Sequence, residues 1–130
     1  MSILNIQNGS YTSNNSVTKA ISISGGIAAT SVTLKMTKIG NIVMINIPAF
    51  SAAATSAATM TAAAASIPAI FCPSSDSYFP LYVIDDITTS WGILKIDSDG
   101  SIIISKAAEA VFTTGVANGI YNNHITYTTS

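Results

Sequence analysis

The chain has one histidine, His124, and one cysteine, Cys72. Any Ser-His-Asp or Cys-His nucleophilic site would therefore have to be built on His124. That residue opens an alternating run, His124-Ile125-Thr126-Tyr127-Thr128, where an imidazole in a core or an interface is the ordinary outcome. One His and one Cys make no zinc ligand set. A lone cysteine forms no intrachain disulfide, and Cys72 is expected to behave as a small buried hydrophobe. Asp85 and Asp86 are adjacent, so in a strand they point to opposite faces and do not meet as paired carboxylates. Asp97-Ser98-Asp99-Gly100 looks like half of a calcium loop, but Lys95 holds the expected first ligand position and no glutamate closes the far end. Two β-branched runs flank Asp99-Gly100, which predicts a tight two-residue hairpin turn. The remaining candidates are aromatic. Phe79 is expected in the core, whereas Tyr78, Tyr82 and Trp91 are candidate surface-recognition residues, able to stack on a sugar ring or a receptor surface. No catalytic residue, cofactor-binding residue or metal ligand is assigned, and a non-enzymatic protein without a cofactor is expected.

Composition narrows the partners. Only 8% of the 130 residues are charged, against about a quarter in an average soluble domain. Serine and threonine fill about a quarter of the positions, so the polar surface consists of hydroxyls and amides. The formal net charge is −1, and the five basic residues are scattered lysines. No basic face is available to displace counterions from phosphates, which argues against nucleic acid and anionic membrane surfaces as partners. No charge occurs between Lys38 and Asp76. That stretch is long enough to span a bilayer, but its alanines are interrupted by Ser and Thr and flanked by Pro48 and Pro68, so membrane insertion is not expected. Met1-Ser2-Ile3-Leu4-Asn5 has neither a basic nor a long apolar region, and no signal peptide is expected.

The elements that must position these residues are strands. Residues 1–16 are polar and turn-rich and read as an arm or linker; residues 17–130 read as one β-sandwich domain. Residues 17–23 alternate, and Gly25-Gly26 marks a turn. Residues 31–38 place Val32, Leu34 and Met36 on one face. Residues 42–47 are apolar on both faces, as suits a sandwich centre or a subunit contact. The alanine-rich residues 51–66 are compatible with a helix on propensity, but their Ser and Thr content favours one or two strands or an extended loop. Residues 78–87 read as a strand with Pro80 near its start or at an edge. Thr88-Thr89-Ser90 reads as a turn, and residues 91–96 put Trp91, Ile93 and Lys95 on one face and Gly92, Leu94 and Ile96 on the other. Residues 109–113 and 123–129 are expected to be the last strands. Eight to ten short antiparallel strands with Gly, Asn and Asp turns predict an all-β sandwich or jelly roll.

The order of short motifs in residues 30–130 resembles the trimeric C1q/TNF-like head domains of viral and phage fibres and related adhesin tips. The matching segments are I-P-A-F (47–50), I-P-A-I-F-C-P (67–73), F-P-L-Y-V-I-D (79–85), G-I-L-K-I-D-S-D-G-S-I-I-I (92–104) and I-T-Y-T (125–128). Such heads often carry an Arg before the second proline, where Cys72 stands here. The resemblance implies a jelly-roll sandwich that forms a homotrimer, located on the virion surface or otherwise extracellular, and that attaches to a host-surface receptor or glycan. Residues 1–16 then offer a contact to another virion component. Ile42, Met44 and Tyr127 are the candidate trimer contacts. A minor capsid or decoration protein and a carbohydrate-binding, lectin-like module are the alternative roles.

Overall fold

The computed structural model describes residues 14–107 and 110–129, which form one curled antiparallel sheet of ten strands. The strands are β1 (Asn14–Gly25), β2 (Thr30–Ile39), β3 (Ile42–Ile47), β4 (Phe50–Ala53), β5 (Thr59–Ala62), β6 (Ser77–Asp85), β7 (Thr88–Ile96), β8 (Ile102–Lys106), β9 (Ala117–Ile120) and β10 (Asn123–Thr128). Their spatial order is β10-β3-β2-β1-β5-β8-β7-β6-β9-β4. Four pairings are nested: β3 with β10, β4 with β9, β5 with β8 and β6 with β7. Residues 42–128 thus run out and back as one long folded hairpin. No helix of the described residues is long and apolar enough to cross a membrane.

The period-two patterns fold as their chemistry dictates. Val32, Leu34 and Met36 of β2 are buried, as are Leu94 and Ile96 of β7 and Ile102 and Ile104 of β8. They join Phe71, Phe112 and Ile27 from the connections in a single core. The sheet turns its corner at the end of β1. Up to Ile23 this strand pairs with β2, and Ser24 and Gly25 pair with β5. Gly25 has φ +107°, and a Cβ there would collide with the Thr59 carbonyl, so the corner requires glycine. The alanine-rich stretch is extended: it supplies β4 and β5, and none of it is helical. Pro80 costs no ladder bond, because β9 pairs only with residues 83–85 of β6.

Several boundaries differ from those read in the sequence. Residues 14–16, assigned to the arm, begin β1 and pair with residues 37–39; the rest of the arm lies outside the described residues. Residues 110–113 form no strand; Phe112 instead plugs the core, with its N–H bonded to the Ala57 carbonyl. The turn after β6 falls at Asp86-Ile87, and residues 88–90 belong to β7. A buried amide, Asn118, accepts the Asp86 N–H and fixes the turn there, overriding the turn-like Thr-Thr-Ser composition. The β7–β8 connection is a three-residue loop, Ser98-Asp99-Gly100, closed by the Gly100 N–H to Asp97 carbonyl bond and the Asp97 N–H to Ser101 carbonyl bond. Gly100 alone is left-handed, as a type I turn with a following bulge demands, and the Asp99 carboxylate holds the Ser101 N–H and hydroxyl. Strand β3 is covered on one face only, since Ile42 and Met44 are exposed.

Ile87 has φ +61° and is 68% exposed at the tip of the β6–β7 turn. A β-branched residue in the left-handed region is strained, and little packing offsets that strain here. Ile87→Gly is expected to raise stability by about 1 kcal/mol, read as a higher melting temperature. An unchanged or lower melting temperature would show that the turn carries no strain.

Candidate functional site

Two faces of the sheet present apolar side chains to solvent. The first is the outer face of β10-β3-β2. Alternation turns Val43, Ile45 and Ile47 inward and Ile42, Met44 and Asn46 outward. Register sets Ile39 beside Ile42, Thr37 beside Met44 and Lys35 beside Asn46; on the other side stand Thr128, Thr126 and His124. Met44, Asn46, Lys35 and His124 border a shallow depression of about 360 Å³. The Asn46 side-chain oxygen is buried there without a hydrogen-bond partner. His124 is exposed, not in the core. Tyr127 does not share this face. It has Ile125 parity, is 9% exposed, and donates its hydroxyl to the Phe71 carbonyl. Burial pushes that hydroxyl well above the ordinary phenol range, with nearby Cys72 adding to the shift. Tyr127 is therefore a core residue packed against Phe79, and its expected place beside Ile42 and Met44 is corrected.

The second face is the outer side of β6–β7. Tyr78, Tyr82 and Trp91 share this surface. Cross-strand register places Tyr82 opposite Trp91, Pro80 opposite Ile93 and Tyr78 opposite Lys95. Tyr82 and Trp91 stack with ring centroids 4.3 Å apart, a pairing worth about 0.5–1.5 kcal/mol beyond area burial. Trp91 is nevertheless 55% exposed and Tyr78 63%. Tyr121, just past β9, joins the strip through a 2.9 Å hydrogen bond between its hydroxyl and that of Thr89. Sequence reasoning missed Tyr121. Its signal is parity, since it follows the buried Ile120 and must point outward.

Charged groups around this strip are already paired. Lys95 lies 3.0 Å from Asp97 and 3.5 Å from Asp76, and its ammonium sits 5.8 Å above the Tyr78 ring. The hydrogen bond to Asp97 comes first among the causes that hold Lys95 above its usual pKa. Lys106 pairs with Asp85, whose carboxylate also accepts the Thr113 N–H and hydroxyl. Asp86 accepts the Val116 N–H, so the two adjacent aspartates each tie down part of residues 113–116. No group of three or more metal-ligating side chains occurs among the described residues. The Cys72 sulfur rests 3.4 Å from the Ile67 carbonyl, and burial, then Asp99, raises its pKa, so the thiol is not activated.

Burial raises the Asp85 pKa, but the hydrogen bonds from Lys106 and Thr113 and the Lys106 charge outweigh it and hold the carboxyl below its ordinary value. A depressed folded-state pKa contributes stability above the unfolded value of about 4 and loses it as pH falls through the folded value. Thermal melts should therefore show stability dropping below about pH 4. Asp85→Asn should be less stable than wild type at pH 7 and show a flatter acid limb. An acid limb of unchanged slope would exclude this ion pair as its source.

No protein-family model matches the chain, and no curated protein matches it. Among solved structures, the chain is similar to a reovirus attachment protein, sigma1, crystallised in complex with alpha-2,3-sialyllactose. The TM-score is 0.53 and the sequence identity 11%, over 91% of this chain and 66% of that one. This is a likeness of fold, an all-β antiparallel architecture, and it spans just under two thirds of the sigma1 chain.

Proposed function

We propose that this chain is a non-enzymatic head module of a virion-surface fibre, a C1q/TNF-like jelly roll that acts as a homotrimer and attaches to a receptor or glycan on the host surface. The nested pairing of β3 to β10 through β6 to β7 supports the jelly-roll reading, because that fold arises from winding one long antiparallel hairpin. The strip of Ile39, Ile42 and Met44, with the unpartnered Asn46 oxygen beside it, supports a self-association face. The likeness to an attachment protein supports the role.

The observation that carries the reading is the exposed aromatic strip of Tyr78, Tyr82, Trp91 and Tyr121. Large aromatic side chains held outward on a rigid sheet are recognition anchors in search of a partner. Several copies on one fibre would convert weak single contacts into avidity. Residues 14 and 129 lie at the Gly40–Asn41 end of the sheet: Asn14 pairs with Ile39, and the Thr129 N–H bonds the Asn41 carbonyl. Soluble protein should bind cells of the virion's host saturably and compete with virion adsorption. Failure to bind or compete at micromolar concentration would remove the attachment role.

A further inference from the structure

We infer that the Tyr82–Trp91 stack and its border form a binding site for an uncharged pyranose, a neutral hexose or N-acetylhexosamine unit of a glycan. This deepens the attachment reading and rests on it for biological meaning, although the site itself is argued from geometry.

A sugar ring offers two kinds of surface: axial C–H bonds on one face and hydroxyls around its edge. The strip supplies the complement of both. Adjacent strands lie about 4.8 Å apart, and alternate residues along a strand about 6.8 Å apart, so four outward aromatic positions span one or two sugar rings. The exposed parts of Trp91 and Tyr82 provide the ring faces that C–H groups pack on. At the border, the Thr89 and Tyr121 hydroxyls share one hydrogen bond between them, which leaves one O–H donor and further lone pairs unspent. The indole N–H of Trp91 and the hydroxyl of exposed Tyr78 add further polar handles.

Charge decides which sugar. An anionic sugar is favoured most by a cation that no carboxylate already neutralises. Lys95, the lysine beside this strip, lies between Asp76 and Asp97, and Lys106 on the neighbouring strand is held by Asp85. Two carboxylates around one ammonium leave the nearest field negative, which disfavours a sialic acid carboxylate and leaves neutral rings unaffected. Binding to the strip should accordingly show little dependence on ionic strength.

Trp91 is the only tryptophan, so its fluorescence reports on the site directly. Saturation-transfer NMR and tryptophan fluorescence should be recorded with lactose, cellobiose and N,N′-diacetylchitobiose, and with 3′-sialyllactose as the anionic comparator. At least one neutral disaccharide should receive saturation at its ring C–H protons and perturb the fluorescence. 3′-Sialyllactose should bind no tighter than lactose. Trp91→Ala should weaken binding at least tenfold, and so should Tyr82→Ala in case one variant is misfolded. No transfer to any neutral disaccharide, or transfer unchanged in both variants, would overturn the site. Sugar binding without attachment to host cells would uphold the site and remove the attachment role; no sugar binding to the unmodified protein, with host-cell attachment persisting in both variants, would remove the site and leave that role standing.

Discussion

Asn118→Ala is expected to destabilise the protein by about 2 kcal/mol, because it removes all three hydrogen bonds of a fully buried amide. Asn118 is fully buried and is the one buried polar side chain among the described residues. Its oxygen accepts the Asp86 N–H at 2.8 Å. Its amide donates to the Gly26 carbonyl at 2.7 Å and the Thr113 carbonyl at 3.2 Å. One side chain thus joins the connection after β1, the β6–β7 turn and the passage before β9. A buried polar group left without a partner costs about 1–3 kcal/mol; here the half-buried Asp86 N–H loses its bond, whereas the Gly26 carbonyl keeps the Thr55 N–H and exposed Thr113 can turn to water. Asn118→Asp tests the direction of the bonds. It keeps the acceptor for Asp86 but places a carboxylate against two carbonyls, so at pH 7 it should be no more stable than the alanine variant. Urea denaturation measures both losses, and a cost under about 1 kcal/mol for alanine would show that these bonds do not hold the end of the sheet together.

The second large effect concerns assembly. Replacing both Ile42 and Met44 with aspartate is expected to convert the proposed trimer to single chains without unfolding them. Both side chains point away from the core, on the face opposite Val43 and Ile45, so the fold does not need them. In an interface, an uncompensated buried charge costs about 3–5 kcal/mol, and each 1.4 kcal/mol is tenfold in dissociation, so two charges should weaken association by several orders of magnitude. Tyr127→Phe is the control. It removes the hydroxyl bonded to the Phe71 carbonyl, so it should lower the melting temperature and leave assembly intact. A trimer that survives the double aspartate change would place the contact on another face.

The parts of this fold that were legible in the sequence are those governed by nearest neighbours. Alternation identified the inward faces of β2 and β7, and it put Trp91, Ile93 and Lys95 together on the outer face where they stand. The same rule places Tyr127 with Ile125 in the core, so its grouping with Ile42 and Met44 gave too little weight to parity. Strand β3 reads as apolar throughout because hydropathy does not separate a residue that faces the core from one that faces outward, as Ile42 and Met44 do. The turn at Asp86-Ile87 was not legible. Asp86 is a residue that tolerates the left-handed region, but Ile87 is not, and the contacts that set the turn come from Asn118 and Ala117, about thirty positions along the chain. The jobs of Asp85 and Asp86 are equally long-range, since their partners Thr113 and Val116 follow only after two further strands. Tyr78, Tyr82 and Trp91 stand out in one dimension as aromatics clustered before a hairpin. Their stacking, and the arrival of Tyr121 beside Thr89, required the sheet.

A multivalent attachment head must first be a multimer, and sedimentation equilibrium of the unmodified protein measures this directly. The expected result is a single species of three times the 13.4 kDa chain mass across the micromolar range. A 13.4 kDa monomer that persists to the highest concentration would contradict it, and with it the covered role of the Ile42–Met44 face.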